Sequence, residues 1–155
     1  MNLVIHTDGG ARGNPGPAAV GVVIDEVMTS GDIPSESGQA TTKTKRIAGF
    51  GKRIGETTNN VAEYTAVIEA FRYLLSLKEN GASNHKLTVH FYLDSTLVVN
   101  QLNGLFKVKE SRLRELLYAV RELEQELGGT VMYFVVRREF NRQADFFVNQ
   151  ALDGE

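Results

Sequence analysis

Cysteine is absent from the 155 residues. That removes disulfides, thiolate metal sites and cysteine nucleophiles from consideration. No apolar run approaches the roughly 18 residues of a membrane-spanning helix, so no membrane partner is expected. The start, MNLVIHTD, lacks the basic region and long apolar stretch of a secretory signal. A strong charge of either sign is also missing. Seventeen basic residues face 19 acidic ones, a formal net charge of −2, whereas nucleic-acid binders are usually basic. What is present, 42% hydrophobic residues, is ordinary for a globular protein. The length suits one domain, residues 1–155, able to bury its own core. The expectation is a soluble, cytoplasmic, monomeric domain.

Hydrophobic periodicity gives a coarse element order. Asn2 to Thr7 reads as a strand ending at Asp8-Gly9-Gly10, and GARGNPGP (Gly10 to Pro17) is too rich in Gly and Pro for regular structure. Ala18 to Ile24 is a second strand and Arg46 to Gly55 a third. Met28 to Lys45 between them is almost entirely polar and reads as a mobile hairpin connection. Asn60 to Lys78 has helical period, with Ala62, Ala66, Val67, Ala70, Phe71, Leu74 and Leu75 on one stripe, closed by Gly81 and Asn84. Leu87 to Leu93 alternates as a strand. Ser95 or Thr96 can cap a short helix through Leu102, and Ser111 a longer one ended by Gly128-Gly129. Thr130 to Val136 is a fifth strand and Gln143 to Leu152 a closing helix. Strands first, then alternation, imply an α/β fold, a five-stranded mixed sheet flanked by helices.

Four acids stand where acids are uncommon. Glu63 shares its helical line with Val67, Ala70 and Leu74, a position that costs several kcal/mol without a partner. A capping box, Asn60 at the N-cap and Glu63 three residues on, would also explain it. Asp8 ends the first strand and Asp94 the fourth, as turn or helix-start residues do. Asp145 shares a helix face with Val148 and Leu152, and could pair with Arg138 or Arg142. Together they suggest more. Functional groups gather at strand ends in sheet-based folds, and converging carboxylates need cations to stay ionised. Oxygen ligands without His or Cys favour Mg²⁺ or Mn²⁺. Two such ions about 4 Å apart form a phosphodiester-cleaving centre.

The strings TDGGARGNPGPAAVG (Thr7–Gly21), TTNNVAEYTAVIEA (Thr57–Ala70), YLDSTLVVNQLNG (Tyr92–Gly104) and EFNRQAD (Glu139–Asp145) resemble the type 1 ribonuclease H family in content and order. The resemblance implies a ribonuclease H-like fold with its first three strands antiparallel. It also implies Mg²⁺-dependent endonucleolytic cleavage of the RNA strand of RNA–DNA hybrids. Carried over by motif, Asp8, Glu63, Asp94 and Asp145 would be the catalytic, metal-binding carboxylates. Gly9 and Asn14 would approach the hybrid near the scissile strand. Asn59 and Asn60 would contact its minor groove, and Thr58 a DNA phosphate. Ser95 and Asn141 match further site positions. Groove amides suit an enzyme indifferent to sequence, because an amide both donates to and accepts from 2′-hydroxyls. GARGNPG lacks the GxxxxGK[ST] pattern of a phosphate-gripping loop.

The chain departs from that family in places. Many members carry a histidine in the loop before the last acid. Here the loop is VVRREFNRQAD, and His6, His85 and His90 lie elsewhere. His6 and His90 fall in strands and read as structural, which leaves Arg138 or Glu139 to assist. The short, histidine-free form resembles the archaeal-like and some bacterial branches of the family. No basic helical protrusion is inserted in Gly104–Arg121, although Lys107, Lys109, Arg112, Arg114 and Arg121 face only Glu110 and Glu115 there. Lys107 and Lys109 are expected to face the substrate. Lys43 to Arg53 holds five bases and no acid, and two divalent ions would turn the net charge of −2 into +2. Near-neutrality thus conceals an acidic pocket and basic segments. A catalytically silent hybrid- or RNA-binding module is the rival reading. A related nuclease acting on double-stranded RNA or on RNA–DNA junctions is another.

Overall fold

The computed structural model describes residues 1–28, 43–79 and 86–154. Its elements are β1 (Asn2–Ala11), β2 (Gly16–Val27), β3 (Thr44–Thr57), α1 (Asn59–Glu79), β4 (Thr88–Leu93), α2 (Thr96–Leu102), α3 (Ser111–Leu127), β5 (Thr130–Val135) and α4 (Arg142–Leu152). A single turn of 3-10 helix at Arg138–Phe140 precedes α4. The sheet runs β3-β2-β1-β4-β5. β1–β2 and β2–β3 pair antiparallel, while β1–β4 and β4–β5 pair parallel. This is the expected mixed sheet with an antiparallel first half.

Strand alternation sorts the core onto two faces. Leu3, Ile5, Val22, Ile24, Val89 and Phe91 form one core with α1, which carries α3 on its far side. On the other side Ala19 meets Val148 and Leu152 of α4. α1 is sandwiched between the sheet and α3, so Val61, Tyr64 and Ile68 are buried beside the expected stripe. His6 stacks on Tyr92 with ring centroids 5.3 Å apart, and His90 on Phe134 at 5.8 Å.

Two glycines permit close approaches that set the site. A Cβ on Gly9 would lie 2.2 Å from the Ala62 carbonyl carbon, and one on Gly21 2.0 Å from the Ala144 carbonyl oxygen. Only a residue without a side chain lets β1 touch the α1 backbone and β2 touch α4.

Several boundaries differ from the sequence expectation. β1 continues through Asp8-Gly9-Gly10 to Ala11, because pairing with β2 runs on to Ala11 opposite Ala18. β2 and β3 lengthen for the same reason. The N-cap of α1 is Thr58, whose Oγ1 accepts from the Val61 N–H at 3.3 Å, so Asn60 lies inside the helix. Glu110, not Ser111, holds the N-cap of α3, without a side-chain bond. Ser95 caps α2 as expected, its Oγ accepting from the Val98 N–H at 3.2 Å. Met28 N–H donates to Lys43 O at 2.9 Å, joining the strands on either side of residues 29–42. The expected mobility of that connection, the closing residues Gly81 and Asn84, and His85 lie outside the described residues.

Candidate active site

Parallel pairing of β1 with β4 sets His6 opposite Tyr92. Continuing two residues along each strand brings Asp8 and Asp94 to the same end of the sheet. Glu63 arrives from the second turn of α1, which Gly9 lets lie against β1. Carboxylate oxygens of Asp8, Glu63 and Asp94 all fall within 4.8 Å of one another. Asp145, in the first turn of α4, stands outside that trio but lines the same cleft of about 410 Å³. Gly9, Asn59, Asn60, Ser95, Arg12, Arg138 and Asn149 line it too.

Burial makes this cluster unstable as a set of bare anions. Asp8 is 8% exposed and Glu63 5%. Burial first, then the charge of Asp94, pushes the Asp8 pKa up to about 7, against a hydrogen bond with Glu63 that lowers it. Asp145 adds to the rise. Glu63 is held well above the usual carboxylate range by burial and then by the charge of Asp8, opposed by the Gly9 N–H. That N–H donates to Glu63 Oε1 at 2.7 Å. The capping box with Asn60 is therefore not formed, because this carboxylate faces β1 rather than its own helix start. Glu63 Oε2 is buried with no hydrogen-bond partner. A buried carboxylate oxygen without a donor is costly, and a divalent cation is the partner that suits an all-oxygen set.

Asn141, expected to meet the hybrid, is 1% exposed. Its Nδ2 donates to Thr7 O at 2.9 Å and to Asp94 Oδ2 at 3.3 Å, fixing the ends of β1 and β4 from beneath. Burial leaves it no face for substrate. Asp145 makes no ion pair with Arg138 or Arg142 among the described residues; Asn149 Nδ2 donates to its Oδ2 at 3.3 Å. Glu139 pairs with Arg137 at 3.6 Å, whereas Arg138 reaches the cleft. Lys107 and Lys109 border a second groove of about 570 Å³ with Leu97, Leu105 and Phe106, joined to the cleft through Asn60. Arg12 and Asn149 were missed in the sequence. Spacing four residues after Asp145 on one helix was the signal for Asn149, while Arg12 had none beyond a glycine-rich turn.

Sheet order and acid placement together define a class: a mixed α/β domain with an acidic centre where its parallel and antiparallel halves meet. The chain belongs to the reverse transcriptase-like family, whose model matches residues 6–151, and within it to the type 1 ribonuclease H branch. It is 37% identical over 150 residues to ribonuclease HI of Halobacterium salinarum, covering 96% of this chain and 63% of that protein. The structure of RNase H1 from the same archaeon superimposes with a TM-score of 0.77 at 34% identity, covering 100% of both chains. LC11-RNase H1, isolated from compost and solved with an RNA/DNA hybrid, gives 0.76 at 37% identity over 97% of this chain and 96% of that one. A bifunctional protein of Mycobacterium tuberculosis is 35% identical over 99% of this chain. The chain spans 36% to 63% of the length of these curated relatives.

Proposed function

We propose that this chain is a metal-dependent endoribonuclease that hydrolyses the RNA strand of RNA–DNA hybrids. The observation that carries the reading is the buried, unpartnered Glu63 Oε2 within a trio of carboxylates 4.8 Å across. Asp8, Glu63 and Asp94 would hold Mg²⁺, with Asp145 completing a site for two ions at the cleft mouth. Mn²⁺ is the expected substitute, since both prefer carboxylate oxygen. When bound, such ions supply water activation and charge stabilisation at the leaving oxygen.

The chain's own groups do the rest. The Gly9 N–H fixes one oxygen of Glu63 and leaves the other free. Asn141 orients Asp94. Asn59 and Asn60 present amides to the minor groove, while Gly9 and Asn14 approach the hybrid near the scissile strand. Thr58 and Ser95 meet backbone phosphate or sugar, and Lys107 and Lys109 meet phosphate along the second groove. One chain supplies all four acids, which supports action as a monomer. The cytoplasm, where hybrids arise during DNA copying and transcription, is the proposed location.

The test is incubation with labelled RNA–DNA hybrid, double-stranded RNA, RNA–DNA junctions and DNA, in Mg²⁺ or EDTA. Cleavage of the hybrid in Mg²⁺ alone is expected, and its absence sinks the reading. Asp8→Asn and Asp94→Asn should abolish turnover yet bind hybrid, because metal sites need charge and groove contacts do not. Turnover at the parent rate in both would refute the assignment of these carboxylates.

A further inference from the structure

The face of α4 turned away from the core carries an aromatic side chain that packing does not explain. Ala144, Val148 and Leu152 are the buried positions of α4. Phe146 stands about half a turn from that row and is 58% exposed. A single exposed apolar side chain is ordinary, but this one has company. Its ring meets the Phe147 ring edge-on, with centroids 5.5 Å apart. The Phe147 ring lies against Gly49 of β3, where a Cβ would come within 3.0 Å of two ring carbons and 3.7 Å of a guanidinium nitrogen of Arg46. Arg46 is itself fixed, because its Nε donates to Asp25 on β2 at 2.7 Å and another of its nitrogens donates to Gln143 of α4. Arg142 precedes Phe146 by four residues, so the two share one helix face, and it makes no ion pair among the described residues. Arg46, Arg142, Gln143, Phe146 and Phe147 line a groove of about 440 Å³.

We propose that this groove binds a single nucleic-acid strand, the tail that runs on beyond a duplex seated in the catalytic cleft. Arg142 and Arg46 take its phosphates, and Phe146 stacks on one of its bases. Aromatic faces beside cations hold single strands whatever their sequence, since every base has a π-face. The charge is complementary, because two guanidiniums border the groove and the acid beside Arg46, Asp25, is already engaged by it. Of the basic segment Lys43–Arg53, Lys52 pairs with Glu69 and Arg53 donates to the carbonyls of Ala151 and Leu152. Arg46 is the member that reaches this groove. α4 also carries Asp145 in the catalytic cleft, so a strand leaving that cleft on this side passes along the same helix. An acidic peptide would pair with the guanidiniums but offers Phe146 no regular run of flat rings. The inference rests on the ribonuclease H reading for the seat of the duplex and adds a second contact to it.

The test compares tails. KM for Mg²⁺-dependent cleavage is measured on a blunt hybrid and on the same hybrid extended by about 12 single-stranded nucleotides, at each end of the RNA or the DNA strand in turn. At least one tail should lower KM about fivefold to twentyfold. Phe146→Ala and Arg142→Ala should each remove most of that gain, and leave KM and kcat on the blunt hybrid within about twofold of the parent. A tail of the same length without bases should keep only part of the gain and be indifferent to Phe146→Ala. Arg142→Ala should flatten the salt dependence on the tailed hybrid by about 0.7, the slope of one phosphate on a single strand. Tails that change nothing, a baseless tail that gains in full, or variants that lose equally on blunt and tailed hybrids each overturn the inference. If no tail helps while a Glu-rich peptide binds the parent and not Phe146→Ala, the groove is a protein-docking face and the inference falls. Failure to cleave the blunt hybrid would sink the ribonuclease H reading itself, and anisotropy of the labelled single strand, lost or kept in Phe146→Ala, still decides on the groove.

Discussion

Glu63 shows how far single residues could be read. Its place on an apolar stripe marked it as costly, but two explanations fitted, because the helix start depends on which residue caps. Thr58 takes the cap through its hydroxyl, and Glu63 then faces the Gly9 N–H. Without metal it is a strained carboxylate. Its pKa is raised in the folded state, so the linked stability is complete below the unfolded value of about 4.5 and fades as pH rises. Glu63→Gln keeps an oxygen for Gly9 and removes the charge. In EDTA its Tm should exceed the parent's by about 2–8 °C at pH 8 and by less at pH 5, while activity is lost. Thermal unfolding at both pH values checks this, and a lower Tm at pH 8 would contradict the buried-charge account. Asn141 is the opposite case, since an amide four residues before an acid gave no hint that it would be buried. Asn141→Ala removes its bonds to Thr7 O and Asp94 and should lower stability by about 1–3 kcal/mol. Steady-state kinetics should show a fall in kcat with KM near the parental value, since the residue lies beneath the cleft. A change in KM alone would restore it to the substrate surface.

Element type and order were legible because hydrophobic period is local and strong, as in α1 and the alternation of β4. Element ends were not, because they depend on partners far along the chain. β1 runs through two glycines that normally signal a turn, and β2 holds them in extended pairing. The glycines matter for what they let approach. Gly9→Ala would drive a methyl to within 2.2 Å of the Ala62 backbone, so α1 has to move away from β1 and withdraw Glu63 from its donor. The expected loss is about 1–3 kcal/mol with a large drop in kcat. Gly55 is the control. Its φ of +86° strains any replacement, but nothing lies within 4 Å of an added Cβ. Gly55→Ala should cost about 1–2 kcal/mol and leave kcat unchanged. Denaturant unfolding with kinetics on both variants separates the effects, and equal activity losses would show that crowding at Gly9 is not what matters.

For the whole molecule, the net charge of −2 misleads because part of the acidic charge is concentrated in one cleft. Three acids are packed within 4.8 Å of one another, while bases gather along β3 and before α3. Composition sums over this separation; the order of residues hints at it, and the fold brings the three acids together. A divalent cation would bind the folded chain and not the dispersed acids of the unfolded one, so it should raise Tm with the logarithm of its concentration. At ten times its Kd the gain is about 1.4 kcal/mol, or roughly 3–6 °C. Protons compete for the same oxygens. Asp8, with its pKa near 7, is largely protonated at pH 6 and must release that proton to bind, whereas at pH 8.5 it is already ionised. The Mg²⁺-induced shift in Tm should therefore be larger at pH 8.5 than at pH 6, and Asp8→Asn should remove most of it at both. Differential scanning fluorimetry across a Mg²⁺ series at the two pH values measures this directly. A shift that is equal at both, or that survives Asp8→Asn, would place the cation somewhere other than the carboxylate cleft.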